Sequence, residues 1–374
     1  MKTADLPRLT LTGGPRARGL AHGEALGTRI AELLERWGDM LEASFGLQRA
    51  RYVERFVAET RYEATTRRVA PSVLTEVAAI AEAAGVDYAS LFAFQHVNEE
   101  FDLAPRFAGA DKEGEACSTI AVGPTGDRPA LIGQNLDLSE YLDGFQILFR
   151  YDCDQSAGEI LALSVPGMIA LNGLNSFGFA ICDNALVQLR PDPDGVPIYA
   201  LYRLLLESRS LSDARRLIGM TPHAAGLNWV IGDPDGVAMI ERSGRAAVDY
   251  RPGAVNAIAY HTNHPLASTD WSEQEFQEKR PQPPRSSYLR LAALHQRLAP
   301  CADQNLTIEA IKAALSSRDD PGYPISRGGG ANQEDLAIGF TLASSIFELG
   351  RANPRWHLAA GPGHRTDYDV FDFA

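Results

Sequence analysis

The sequence has few cysteines and lacks long apolar runs. Only four of its 374 residues are cysteine, and none of them form a Cys-x-x-Cys pair. This scarcity disfavours a disulfide or zinc framework and suits thiols in a reducing compartment. No run of eighteen apolar residues occurs, and residues 1–7 lack the apolar segment of a secretory signal. We therefore expect a soluble cytoplasmic protein.

Positive charge is also in short supply. The chain has 35 Lys and Arg against 48 Asp and Glu, a net charge of −13. A negative field repels phosphate, so neither nucleic acid nor an anionic membrane is expected as a partner. The 45% of hydrophobic residues is enough to bury a large core, in either one layered domain or two.

The first third of the chain has the periodicity of helices. Residues 14 to about 105 carry apolar side chains on one face, and a second helix is predicted over Pro71–Ala84, with Pro at its first turn and Gly85 after its end. The apolar stripe consists of Ile30, Leu33, Leu34, Trp37 and Leu41. Later helices are predicted over residues 197–218, 286–298 and 307–316.

After Cys117 the pattern changes to successive hairpins. Strands are predicted over residues 119–122, 130–134, 145–151, 159–165, 168–171, 179–184, 229–232, 237–241, 341–349 and 356–359. Residues 280–284 are Pro-rich and predict a loop. Antiparallel strands with enough helices to cover two sheets indicate the α+β class.

Cys117 and Asp137 form the most informative pair. Cys117 follows Ala116, and an apolar strand, a turn and a returning strand deliver Asp137 twenty residues later. A strand cysteine is usually a core residue. This order, however, is what an enzyme needs if it cuts its own backbone before Cys117. The new α-amine, with a pKa of ~7.7–8.0, would then be a local base for a thiol with a pKa of ~8.5.

The arrangement resembles the N-terminal-nucleophile (Ntn) hydrolases, and most closely the family of acyl-CoA:6-aminopenicillanic acid acyltransferase. Residues 14–24 are similar to the G-x-P-x-x-x-G-x-x-H-G start of that family's pro-segment. The resemblance implies a four-layer αββα sandwich of antiparallel sheets. It also implies an inactive precursor that cleaves itself between Ala116 and Cys117. Residues 1–116 would be a mostly helical pro-segment and 117–374 the catalytic subunit, packed as one globular unit and forming an α/β heterodimer after processing.

The resemblance also assigns catalytic residues beside Cys117. Asp137, in the G-x-N-x-D string, would hold the nucleophile and its amine. Asn184 matches the residue whose amide helps to form the oxyanion hole, and Asn263, in a T-N-x-P-like segment, matches one that bonds near the amine. The alternatives are a turn-capping Asp, a strand-end Asn and a pre-proline loop residue. Asn175 is interpreted as a turn residue outside the site.

Four residues have supporting roles by the same resemblance. Gln134 and Asn135 belong to the G-x-N-x-D string, and Ser287 and Arg290 match an S-x-x-R segment, with Arg290 favoured. As an alternative, Arg290 would lie on an exposed helix face. Gln134 stands where bile-salt hydrolases have Arg. Together with the long pro-segment, it favours the acyltransferase-like branch.

The sequence therefore predicts an autoprocessed cysteine amidohydrolase or acyltransferase for an N-acyl amide or acyl thioester. His261 and His264 alone do not make a metal site, so no metal is expected. No cofactor is expected either, and acyl-CoA would be a substrate. One alternative is a strict N-acyl amide or peptide hydrolase of the same fold. Others are an uncleaved papain-like hydrolase that pairs Cys117 with His261, and a silent binding protein.

Overall fold

The structure, a computed structural model, describes residues 2–109, 117–152, 158–251, 258–271, 285–301, 306–328 and 339–374. The Pro-rich loop predicted at 280–284 and Ala116 of the predicted cleavage site lie outside these ranges. Within them, no helix is both long and apolar enough to cross a membrane.

The predicted helical first third is confirmed. Its helices are α1 (Pro15–Phe45), α2 (Arg49–Glu59), α3 (Tyr62–Val69), α4 (Pro71–Ala84), α5 (Tyr88–Phe94) and α6 (Val97–Ala108). The predicted apolar stripe of α1 is fully buried. Gly46 and Gly85 end α1 and α4 in the left-handed conformation that favours glycine.

The glycines of the N-terminal motif have a packing role. A Cβ on Gly19 would lie 2.4 Å from the backbone oxygen of Glu76, and one on Gly23 would lie 2.6 Å from that of Ile80. Helices α1 and α4 can therefore approach closely only with glycine at these positions. His22 of the same motif is buried and accepts a hydrogen bond at Nε2 from the Gly167 backbone N–H (2.9 Å).

Two sheets form the centre of the molecule. The strands are β1 (Arg8–Thr12), β2 (Ser118–Val122), β3 (Ala130–Leu138), β4 (Ile147–Asp152), β5 (Glu159–Ser164), β6 (Asn172–Asn175), β7 (Ala180–Ala185), β8 (Leu227–Asp233), β9 (Gly236–Arg242), β10 (Ala247–Tyr250), β11 (Ala259–His261), β12 (Phe340–Leu349), β13 (Arg355–Ala359) and β14 (Asp369–Phe371). The larger sheet has the order β1-β4-β5-β6-β7-β8-β9-β10, and the smaller one β11-β2-β3-β12-β13-β14.

The two sheets lie between helical layers, as predicted. Helices α7 (Ile198–Leu206) and α8 (Leu211–Met220) cover the larger sheet, and α9 (Arg285–Leu298) and α10 (Ile308–Leu315) cover the smaller one. Strands β2 and β3 of the smaller sheet contact β7, β8 and β9 of the larger. The α+β class and the αββα layering are thus confirmed. The division into chains at residue 116 stays a prediction.

The structure corrects four details. Residues 168–171 are irregular rather than a strand, because the chain turns at Gly167, with a φ of +90°, and the strand begins only at Asn172. The predicted helix 197–218 is two helices, since the Ser210 side chain accepts the Asp213 N–H and starts α8 anew. Strand β3 continues to Leu138, beyond the predicted end at 134. Strand β1 pairs parallel to β4, which no antiparallel hairpin pattern predicts.

Candidate active site

Cys117 lies directly before β2, the second strand of the smaller sheet. It is 6% exposed, and its Sγ lies 3.7 Å from the backbone oxygen of Asp137 on the adjacent strand β3. The antiparallel pairing of Ser118 with Asn135 sets this proximity. The hairpin therefore brings the two residues together, as the twenty-residue spacing predicts.

The Asp137 carboxyl is buried between two polar partners. Its Oδ1 accepts a hydrogen bond from Thr341 Oγ1 (2.6 Å), and Oδ2 lies 3.6 Å from Arg327 Nε. Burial raises the pKa of Asp137 to about 7, against the lowering effects of Arg327, Thr341 and Arg290. The carboxyl is consequently poised between its two protonation states near neutral pH.

Arg290 connects the nucleophile to the loop of Asn263. Its Nη1 donates to the Cys117 backbone oxygen (2.6 Å) and to Ser118 Oγ (2.9 Å), and its Nη2 donates to Asn263 Oδ1 (3.0 Å). Arg290 is fully buried, so the exposed-face alternative is wrong. Burial, and then the charge of Arg327, lowers the pKa of Arg290 to about 9, while Asp137 and Cys117 act to raise it.

Asn263 is held on three sides. Its backbone N–H donates to Ser287 Oγ (2.8 Å), and its Nδ2 donates to the Ala185 backbone oxygen (3.2 Å). Its Oδ1 accepts the hydrogen bond from Arg290 Nη2. Ser287 Oγ also bonds to His264 Nδ1 (2.7 Å). Ser287 therefore helps to fix the position of the loop that carries Asn263 and His264.

Asn184 presents an unpaired donor. Its Oδ1 accepts from both Thr119 Oγ1 (2.6 Å) and Asn228 Nδ2 (3.0 Å), which fixes the orientation of the amide. Its Nδ2 is buried and has no hydrogen-bond partner among the described residues. A buried, oriented N–H group without an acceptor is the arrangement that stabilises a developing oxyanion.

Gln134 and Asn135 join the layers around the site. Gln134 Nε2 donates to the Asp183 backbone oxygen (2.9 Å), and its Oε1 accepts from Asn172 Nδ2 (2.7 Å), so it bridges the two sheets. Asn135 Nδ2 donates to the backbone oxygens of Leu315 (2.7 Å) and Ile325 (2.9 Å). These contacts give both residues structural roles.

The interpretation of Asn175 as a turn residue agrees with its contacts. Its Oδ1 accepts from the backbone N–H groups of Phe177 and Phe179, both at 3.0 Å. Its Nδ2 donates to the backbone oxygens of Leu206 (2.9 Å) and Ser208 (2.7 Å).

The two histidines of the H-x-x-H pair have separate partners. His261 bonds through Nε2 to Glu241 (2.8 Å) and through Nδ1 to the Thr262 backbone oxygen (2.8 Å). His264 bonds to Ser287. Across the described ranges, no group of three potential metal-ligating side chains occurs.

The sequence gives no signal for several residues of the site. Thr341 faces Asp137 across the β3–β12 ladder, but its place in a strand pattern does not indicate a partner 204 residues away. Arg327 lies in a loop between α10 and β12. Asn228 is half of a cross-strand pair with Asn184, which a single sequence does not reveal.

Two further buried carboxyls adjoin the site. Asp183 accepts from Tyr202 Oη (2.5 Å) and from Asn98 Nδ2 (3.2 Å). Glu99 of α6 accepts the backbone N–H of Ile198 (2.8 Å). Burial raises the pKa of Asp183 to about 6 and that of Glu99 to about 7.

Glu99 should make the stability of the protein fall with rising pH. Because its pKa is raised from 4.5 to about 7, the folded chain keeps a proton that the unfolded chain releases. The stabilising effect of protonated Glu99 is complete below pH 4.5 and is lost as the pH rises through about 7. It amounts to roughly 3 kcal/mol at most.

Glu99→Gln should therefore raise the free energy of unfolding at pH 8 but not at pH 4.5. Urea titrations at both values measure this, with exposed Glu42→Gln of α1 as the control. A gain independent of pH would contradict the explanation.

The αββα layers, with Cys117 directly before a strand of the smaller sheet, agree with an acyltransferase or amidohydrolase of the Ntn type. The chain is a member of the acyl-coenzyme A:6-aminopenicillanic acid acyl-transferase family, whose model matches residues 125–359. The matched part includes Asp137, Asn184, Asn263 and Arg290 and begins after Cys117.

Individual proteins match this chain at low sequence identity. The chain is 24% identical over 344 residues to the acyl-coenzyme A:6-aminopenicillanic-acid-acyltransferase 40 kDa form of Emericella nidulans, covering 91% of this chain and 89% of that protein. Two similar solved structures are 14% identical. A Caenorhabditis elegans N-acylethanolamine-hydrolyzing acid amidase ortholog has a TM-score of 0.42, over 63% of this chain and 93% of its own. The penicillin V acylase of Agrobacterium tumefaciens has a TM-score of 0.38, over 68% and 85%.

Proposed function

We propose that the protein is an autoprocessed N-terminal cysteine amidohydrolase or acyltransferase that acts on an N-acyl amide or acyl thioester. The observation that carries the proposal is the contact network at the start of β2. There Cys117 Sγ approaches Asp137, while Arg290 holds the Cys117 carbonyl. Family membership supports the reaction class.

Activation begins with the peptide bond before Cys117. The thiol attacks the Ala116 carbonyl, the acyl group passes from nitrogen to sulfur, and water hydrolyses the resulting thioester. The products are a new carboxylate at Ala116 and a Cys117 that carries both a thiol and an α-amine. Arg290 fixes the carbonyl on the other side of Cys117, which restrains the backbone during this shift.

Turnover uses the same thiol. The α-amine takes the proton of the Cys117 thiol, and the thiolate attacks the substrate carbonyl. Asn184 Nδ2 donates to the oxyanion, together with a backbone N–H. The protonated amine then gives its proton to the leaving group, and water or an amine releases the acyl chain.

Asp137 and Asn263 position the terminal amine in this proposal. An ammonium group beside Asp137 favours the ionised carboxyl and opposes the effect of burial. The amine, the thiol and the carboxyl therefore titrate as one coupled group.

The papain-like alternative has less support. A Cys–His pair needs a ring nitrogen directed at the thiol, and both ring nitrogens of His261 already bond to Glu241 and to the Thr262 backbone. In the proposed mechanism the α-amine of Cys117 is itself the base, so the thiol needs no histidine.

The products formed from the acyl-enzyme distinguish acyl transfer to an amine from hydrolysis by water. Water at ~55 M is a strong competitor, so transfer requires an acceptor that gains effective concentration by binding. We expect hydrolysis of an activated acyl donor in every case and an amide product only with a suitable amine. The measurement is the ratio of free acid to amide across a broad panel of amines. If no amine shifts the ratio while hydrolysis proceeds, a strict hydrolase is the better description.

A further inference from the structure

A narrow cavity lies beside the proposed site. Its apolar wall consists of Leu136, Leu138, Ala170 and Leu171, and Asp183 and Glu99 are on its polar side. The cavity occurs where β7 extends past the end of β6, whose pairing with β7 stops at Gly173↔Ile181. Its volume is about 10 Å³, which suits one group the size of a water molecule.

The cavity adjoins residues of the proposed site, because Leu136 and Leu138 flank Asp137 on β3 and Asp183 precedes Asn184 on β7. Tyr202, which also lines it, donates to Asp183. Cys117 Sγ lies 3.7 Å from the Asp137 backbone oxygen, so a substrate attached to Cys117 starts close to the strand that lines the cavity.

The polar side of the cavity has acceptors but no cation. Glu99 is 1% exposed, and its Oε2 is buried without a hydrogen-bond partner among the described residues. The charge of Asp183 adds to the burial that raises the pKa of Glu99. In the described part of the chain, neither carboxyl forms an ion pair with a basic side chain. Without a counter-charge, burial favours the protonated forms of these two groups, and a bound cation would stabilise their ionised forms.

We propose that this cavity binds a primary ammonium group at the end of the substrate's acyl chain, with Asp183 and Glu99 as its acceptors. The inference rests on the proposed function and adds a substrate class to it. An ammonium group supplies compact donors that fit a water-sized space, whereas a planar guanidinium is too large. The leucine side chains of the wall can pack against the methylene group that carries the ammonium.

The ammonium group belongs to the acyl part for a mechanistic reason. The acyl chain stays attached to Cys117 while the amine leaves, so an enclosed cavity suits the part that is retained. A leaving amine needs an open path to solvent.

The experiment compares the p-nitroanilides of 6-aminohexanoic acid and heptanoic acid, which differ only in having an ammonium or a methyl group at the end of the acyl chain. The same comparison is repeated with shorter and longer acyl chains. For the preferred length we expect kcat/KM to favour the aminoacyl substrate by roughly 10- to 100-fold. Asp183→Asn and Glu99→Gln should each reduce that ratio by about tenfold or more. Exposed Glu82→Gln is the matched control and should leave the ratio unchanged. A wild-type ratio near one at every length, or a ratio that both variants retain, would overturn the subsite.

A binding measurement on the processed wild-type protein covers the case in which a variant does not fold or no anilide is cleaved. Calorimetry with 6-aminohexanamide and heptanamide should show binding of the amine only. Selective binding without turnover would support the subsite and count against the proposed enzyme. Equal turnover of both anilides with equal binding of both amides would support the enzyme and reject the subsite.

Discussion

The purified wild-type protein should separate into two polypeptides under denaturing conditions. Cleavage before Cys117 places 116 of the 374 residues of the 40.6-kDa chain in a fragment of about 12.6 kDa and leaves one of about 28 kDa. The larger fragment should begin with Cys117 on N-terminal sequencing. Intact-mass measurement of the freshly purified protein distinguishes this from removal of a leader, which would shorten only one end.

Cys117→Ala should remain one uncut, folded chain without activity. The substitution removes the nucleophile of both reactions, and loss of such a group typically costs roughly 10⁴- to 10⁶-fold in kcat. The matched control is Cys301→Ala, which removes a partly buried thiol just after α9 and should be cut and active. A fully active wild-type protein that is still one chain would reject the Ntn mechanism, and so would a processed Cys117→Ala variant.

Replacement of Asn184 should give the second large effect. Its Nδ2 is the oriented, unpaired donor of the site, and removal of one oxyanion donor typically lowers kcat by about 10²- to 10³-fold, or ~2.7–4 kcal/mol. The KM should change little, because the interaction strengthens only in the transition state. Self-cleavage should slow too, since it passes through its own tetrahedral intermediate. Steady-state kinetics and the time course of processing for Asn184→Ala measure both effects.

Two variants separate catalysis from folding at this position. Asn184→Asp keeps the size and the acceptor for Thr119 and Asn228 but removes the N–H donor, so it should be as inactive as the alanine variant. Asn175→Ala is the structural contrast, because Asn175 is equally buried but bonds only to a turn and a helix end. It should lower the midpoint of thermal unfolding while each folded molecule keeps its kcat. Near-normal turnover by processed Asn184→Ala would show that Asn184 is only a strand-end residue.

The sequence by itself determined the elements whose causes are local. Helix α4 has its predicted bounds, because Pro71 starts it and Gly85 ends it within the same segment. The hairpin from Cys117 to Asp137 was also predictable, since an apolar strand, a turn and a returning strand are close together in the chain. Antiparallel pairing then brings the thiol and the aspartate backbone into contact.

Tertiary structure alone decided the surroundings of Asp137 and Cys117. Thr341 and Arg290 approach them from 204 and 173 residues away, and Arg327 comes from a loop. Periodicity treats an arginine on an amphipathic helix as exposed, yet Arg290 is fully buried because its donors meet acceptors from two other segments. The parallel pairing of β1 with β4 and the cavity beside Glu99 and Asp183 also depend on tertiary contacts. Such contacts depend on which distant elements pack together, and a local pattern of polar and apolar residues does not record that choice.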